Sequence, residues 1–102
     1  MPEATDWEII MLEQAKKILE QGQKVEMVEL VGSEKQVKYA KDLRRTYFPR
    51  IFTHLPSLIA DYEEYQNDED ADEYAEDLQE AIDNFNVLTA ETSAGKLINH
   101  MV

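Results

Sequence analysis

Residues 69–85, EDADEYAEDLQEAIDNF, have the most regular amphipathic pattern in the chain and decide its fold class. Apolar side chains recur there every three or four residues, at positions 71, 74, 75, 78, 82 and 85. Because an α-helix has 3.6 residues per turn, this spacing places them on one face. The stretch therefore predicts a helix that begins near Glu69 and packs its apolar face against a core.

Shorter stretches elsewhere show the same helical spacing. A first helix is expected from about residue 5 to Gly22, where the glycine ends it. Its apolar stripe consists of Trp7, Met11, Ala15 and Ile18. Ser33 and Gln36 form a capping box that starts a second helix. A short last helix is expected to begin after Thr92 or Ser93.

Two prolines and one extended stretch complete the prediction. Pro49 should end or sharply bend the second helix, and Pro56 should kink the next apolar stripe or start a new helix. Residues 24–31 are expected to form an extended connector; a short strand is an alternative, although no partner strand is evident. We therefore predict one all-α domain over residues 1–102, a bundle of four or five helices.

Composition excludes several classes of protein. The chain has 102 residues, with 22 acids against 10 bases, for a net charge of −12. This charge argues against a nucleic-acid coat protein and against adhesion to anionic membranes. The absence of cysteine excludes disulfides, thiolate metal sites and cysteine nucleophiles. The N-terminal residues lack the basic and apolar regions of a signal peptide, so a cytoplasmic protein without membrane association is expected.

Acidic residues are concentrated in one part of the sequence. Eight acids between positions 69 and 83 lie opposite the apolar stripe of the predicted helix, spread over about 21 Å, or about 2.6 Å per charge. A nucleic-acid single strand has one charge per about 3.4 Å and a duplex one per about 1.7 Å. The face is therefore either a solvated surface or a partner-binding surface that imitates a phosphate backbone. The candidate partner-binding residues are Glu69, Asp72, Glu73, Glu76, Asp77, Glu80 and Asp83.

Basic residues are concentrated in the helix predicted over residues 34–47. The candidate nucleic-acid-binding residues on this helix are Lys35, Lys38, Lys41, Arg44 and Arg45. Three or four phosphate contacts would give weak, salt-sensitive binding, and the net negative charge would oppose it. Alternatively these bases neutralise the acidic helix within the same molecule. The sequence leaves open whether the two helices pair.

No arrangement of residues indicates catalysis or a bound metal. Residues 68–72 match the opening of a calcium-binding loop, but Glu73 stands where the loop needs glycine and Gln79 where it needs glutamate. His54 and His100 have no second ligand at metal-binding spacing. We therefore expect no catalytic residues, no metal and no cofactor, and the chain is not expected to be an enzyme.

Two stretches resemble motifs of known proteins. Residues 32–44, GSEKQVKYAKDLR, resemble a helix-opening element of small proteins from bacteria, their phages and mobile elements. Residues 91–101, ETSAGKLINHM, are similar to the terminal motif of the same proteins, close to T-[SD]-A-K-W-W-I-D-x-R. Ser93, Ala94 and Ile98 match, whereas Lys96 and Leu97 replace the tryptophan pair. The resemblance covers about 24 residues and implies an origin in a bacterium, a phage or a mobile element rather than an activity. The expected location is the cytoplasm of the bacterial host cell.

These observations lead to one main hypothesis and two alternatives. The main hypothesis is a non-catalytic acidic protein, encoded by a phage or mobile element, whose acidic face occupies the nucleic-acid-binding groove of a host protein with a basic surface. Anti-restriction and anti-CRISPR inhibitors act in this way as a class. The first alternative is a nucleic-acid accessory protein that uses the basic helix. The second is a structural helical domain that forms a homodimer through its apolar stripe over residues 51–65.

Overall fold

Four α-helices make up most of the described part of the chain. A computed structural model describes residues 6–22, 24–65 and 71–102. The helices are α1 (Asp6–Gln21), α2 (Glu34–Tyr65), α3 (Ala71–Ala90) and α4 (Ala94–Met101), and the described residues form no β-sheet. The predicted all-α bundle is confirmed, with four helices. Glu69, the predicted start of α3, and the side chain of Trp7 lie outside the described part.

α2 continues through both prolines, so the helix end expected at Pro49 and the new start expected at Pro56 do not occur. Each proline lacks the N–H that would bond the carbonyl four residues earlier. Both are exposed and lie seven residues apart, hence on the same face of the helix. Because the missing bonds fall on the solvent side, water can replace them. An adjoining side of the helix, which includes Leu55 and Ile59, is buried and keeps α2 in place.

The packing of α2 against α3 forms the centre of the bundle. The rings of Tyr65 and Tyr74 stack with 5.0 Å between centroids, and the Phe48 ring stacks on that of Phe85 at 5.9 Å. These contacts show that the two helices run antiparallel. All four helices contribute to the core, whose least exposed large side chains are Met11, Leu55, Leu78, Ile82, Leu88 and Leu97.

The predicted helix ends are confirmed by their hydrogen bonds. The Ser33 N–H donates to Gln36 Oε1 at 3.1 Å, and the Gln36 N–H donates to Ser33 Oγ at 3.2 Å. Ser93 caps α4, because its Oγ accepts from the Lys96 N–H at 3.3 Å. Gly22 follows α1 with φ +66°, a conformation that glycine adopts without strain.

The connector over residues 24–31 is extended but forms no strand. The Val28 N–H donates to the Thr89 carbonyl at 2.9 Å, and the Val31 N–H donates to the Thr92 carbonyl at 2.7 Å. A single parallel bridge joins Val31 to Ser93. Only three residues separate α3 from α4, so the partner segment is too short for a longer ladder.

Replacing Pro49 by alanine should stabilise the protein, because the exposed position regains an N–H for the Arg45 carbonyl. We expect the free energy of unfolding, measured by urea denaturation, to rise by about 1–3 kcal/mol. The change Pro56→Ala should raise the free energy of unfolding by a similar amount. The control Thr46→Ala, at another exposed position of α2, should change it by less than about 0.5 kcal/mol. A loss of stability on replacing Pro49 would show that the proline geometry is needed for packing.

Candidate functional site

The acids of α3 form a continuous exposed surface. The apolar face of this helix is buried against α2, which turns the acids toward solvent, and the helix contains no Lys or Arg. We call these residues the acidic surface: Asp72, Glu73, Glu76, Asp77, Glu80 and Asp83. Glu69, also predicted to belong to it, lies outside the described residues.

The basic side chains of α2 lie toward the other end of the molecule. The basic surface consists of Lys35, Lys38 and Lys41, all exposed. Because α2 and α3 are antiparallel, Asp83 lies about 15 Å along the α2 axis from Lys41, and Asp72 about 40 Å from Lys38. The molecule measures 53 × 24 × 20 Å, so the two surfaces are separated along its long axis.

The acidic and basic surfaces do not neutralise each other. Among the described residues, the ion pairs are Lys16–Glu63 at 3.7 Å and Arg45–Asp42 at 3.4 Å. Neither joins the acidic surface to the basic one. The separation also exceeds the Debye length of about 8 Å at physiological salt, so their mutual attraction is largely screened.

Arg44 is a structural residue of the bundle. Its Nε donates to the Leu88 carbonyl at 2.7 Å, and its Nη2 donates to the Val28 carbonyl at 2.9 Å. Leu88 lies in the last turn of α3, where carbonyls lack partners within the helix. Burial lowers the pKa of Arg44 from its usual value. Arg44 therefore ties α2 to α3 and to the connector. The sequence could have indicated this role, because Arg44 lies four residues after Ala40 and hence on the same, inward face of the helix.

An open cleft lies between α2, α3 and α4, with a volume of about 470 Å³. Sequence reasoning missed it, because only the tertiary packing brings its walls together. On the α2 wall, the Arg50 guanidinium lies over the Tyr47 ring, 5.3 Å from its centroid. Asp77 and Glu80 of the acidic surface line the opposite wall. The other lining residues are Ile51, His54, Ser57, Leu58, Ala81, Asn84 and Met101.

Both histidines are exposed. His54 is exposed in the cleft, and His100 Nε2 lies 2.8 Å from Asn84 Oδ1. Within the described ranges, no group of three or more His, Asp or Glu side chains is arranged to hold a metal ion. Nor does any helix of those ranges have both the length and the apolar character needed to span a membrane. Of the three aspartates in the calcium-loop pattern, Asp72 is exposed in the first turn of α3, and residues 68 and 70 lie outside the described part.

The apolar stripe over residues 51–65 is used inside the monomer. Ile51, Leu55, Ile59 and Tyr62 are all buried in the core. Phe52, Leu58 and Tyr65 of the same stripe are half-buried, so the homodimer alternative has only these partly exposed side chains to use and stays a prediction.

The two stretches that carry the resemblance meet in the structure. The Ala94 N–H donates to the Val31 carbonyl at 2.9 Å. A Cβ on Gly32 would lie 3.2 Å from the Ala94 Cβ and 2.9 Å from Gln36 Oε1, so a larger residue would crowd Ala94 and push the Gln36 side chain out of its capping position. Ala94 is fully buried. These motif residues join the start of α2 to the start of α4.

The chain was compared with family models, with curated proteins and with solved structures, and it matches none of them.

Glu8 of α1 contacts Tyr62, which lies near the C-terminal end of α2. The Tyr62 side chain is only 3% exposed, and its phenol is hydrogen-bonded to Glu8. Burial raises the pKa of Tyr62, and the negative charge and hydrogen bond of Glu8 raise it further.

The Tyr62 phenol should make stability depend on pH above about 10, the usual pKa of tyrosine. In that range the unfolded chain loses the phenol proton while the folded chain keeps it, so the free energy of unfolding falls as the pH rises. The change Tyr62→Phe should reduce this slope, as measured by urea denaturation between about pH 9 and 11. Equal slopes for both proteins would contradict the role of this phenol.

The change Arg44→Met should destabilise the protein by about 1–3 kcal/mol, because it keeps an apolar stem but leaves the Leu88 and Val28 carbonyls without their donor. The matched control is Arg45→Met, since the Arg45 side chain is exposed and pairs only within its own helix. That change should cost less than about 0.5 kcal/mol. Thermal unfolding compares the two, and equal losses would contradict the structural role of Arg44.

Proposed function

We propose that this chain is a non-catalytic interaction protein whose acidic surface binds the nucleic-acid-binding groove of a host protein. The observation that carries the proposal is an exposed helix face of six acids, without a base, that no cation of the basic surface neutralises. In the same proposal the chain is encoded by a phage or mobile element and acts in the bacterial cytoplasm.

The charge density of the acidic surface supports this proposal. Its six acids lie within about 17 Å of helix, or about 2.8 Å per charge. This value falls between the spacings of a nucleic-acid single strand, about 3.4 Å, and a duplex, about 1.7 Å. A rigid helix with this spacing presents charges to a basic groove much as a phosphate backbone does. Such a field also accelerates association with a basic partner.

The repulsion within α3 is a second support. Glu73 lies four residues from Asp77, and Glu76 four residues from Glu80, so like charges are neighbours on the helix surface. Each such pair costs about 0.2–0.5 kcal/mol, and α3 has no lysine to relieve it. A basic partner would relieve this repulsion and gain that energy as binding affinity.

Fewer basic side chains of α2 are free to contact phosphate than the sequence indicates. Arg44 gives two of its nitrogens to backbone carbonyls, and Arg45 pairs with Asp42. The three exposed lysines that are left give few phosphate contacts, and the net charge of −12 opposes them. We therefore favour the acidic surface as the functional one.

Removing four charges of the acidic surface tests the proposal. The combined changes Glu73→Gln, Glu76→Gln, Asp77→Asn and Glu80→Gln should abolish capture of the host partner from bacterial lysate at low salt. They should also stabilise the protein by about 0.6–1.5 kcal/mol, because three repulsive pairs four residues apart disappear, Asp72/Glu76 being the third. Pull-down with nuclease present, followed by thermal unfolding, measures both effects.

The matched control removes four exposed acids outside α3, by changing Glu13, Glu20, Glu26 and Glu29 to glutamine. This variant has the same net charge and should keep the partner. The captured protein should bind nucleic acid when purified, and this chain should displace that nucleic acid. Equal capture by the unchanged chain, the four-charge variant of α3 and the control variant would overturn the proposal. Equal loss of the partner in the two variants would show that binding depends only on net charge.

A further inference from the structure

The cleft between α2, α3 and α4 adds an apolar pocket to the acidic surface. We infer that this cleft receives an apolar side chain from a partner peptide segment that carries Lys or Arg on one side of that side chain. This inference rests on the proposed function, since it names the chemistry that the acidic surface selects.

The floor of the cleft is apolar and accessible. Leu58, Ala81 and Met101 are half-buried, so part of their apolar surface lines the opening, and Ile51 lies beneath them. The volume of about 470 Å³ lies within the range of about 300–1,000 Å³ typical of binding pockets. Binding energy at interfaces is concentrated where a large side chain fills such a pocket inside a polar rim.

The two walls carry opposite charges. Asp77 and Glu80 line the α3 wall, and Arg50 lines the α2 wall. Among the described residues, no ion pair joins these walls. Arg50 is held on its own wall by the Tyr47 ring. A peptide base would therefore pair with the α3 wall, while Arg50 would repel a second base on the other side.

This arrangement distinguishes two kinds of basic partner. A simple acidic face attracts every polycation in proportion to its charge. The cleft instead favours a segment that combines an apolar side chain with bases on one side of it. Asp77 and Glu80 belong to both the cleft and the acidic surface, so one ligand can use both at once.

Two synthetic peptides of about ten residues test the inference by NMR titration of the labelled protein at about 0.15 M salt. Both have three lysines on one side of a central pair of residues, which is leucine in one peptide and serine in the other. The leucine peptide should bind at least about tenfold more tightly, because burying leucine contributes the difference. Its chemical-shift changes should centre on Ala81, Asn84 and Met101.

Three variants locate the binding site. Asp77→Asn with Glu80→Gln should weaken the leucine peptide about tenfold. Met101→Ser should weaken the leucine peptide but not the serine peptide. Glu13→Gln with Glu20→Gln removes the same charge outside the cleft and should leave the affinity within about twofold. Unchanged NMR spectra away from the substitutions confirm that each variant is folded.

Equal affinities for the two peptides would overturn the inference, as would tighter binding of the leucine peptide that neither cleft variant weakens. If the peptides bind equally but the four-charge variant still loses its host partner, the proposed function stands without the cleft. If that variant keeps its host partner, the proposed function fails whatever the peptides show.

Discussion

The antiparallel packing of α2 against α3 determines where every other part of the protein lies. The Tyr65–Tyr74 stack sets one end of this contact, and the Phe48–Phe85 stack lies further along it. α2 has 32 residues and α3 has 20, so the first part of α2 extends past the end of α3. The basic surface lies on that extension and the acidic surface on the paired part. Charge separation thus follows from helix lengths and from the register of two helices.

Most of the secondary structure could be predicted from the sequence because it depends on local chemistry. The capping box at Ser33 and the cap at Ser93 are short-range hydrogen bonds, and the apolar stripes follow the helical period. The helix end at Pro49 and the new start at Pro56 were wrong, because the cost of a proline depends on which face of α2 it occupies. Pro49 and Pro56 lie on the exposed face, which only the packing of α2 reveals.

The candidate site could be predicted only in part, for a related reason. The acids of α3 follow from the helical period alone, and they are exposed as expected. The role of Arg44 depends on carbonyls at positions 28 and 88, which are distant in sequence. The cleft likewise joins residues of three helices. The two motifs that carry the resemblance meet where Gly32 approaches Ala94, so these residues act in folding.

The energies within α3 explain how its two faces can serve separate purposes. On the inner face, Leu78, Ile82 and Phe85 are buried, and each such side chain contributes about 1.5–3 kcal/mol. On the outer face, each pair of like charges costs only a few tenths of a kcal/mol. The inner face therefore determines whether the helix forms, and the outer face can carry an unrelieved charge at little cost. A surface of this kind can be altered without unfolding the protein, so binding and stability are separable in experiment.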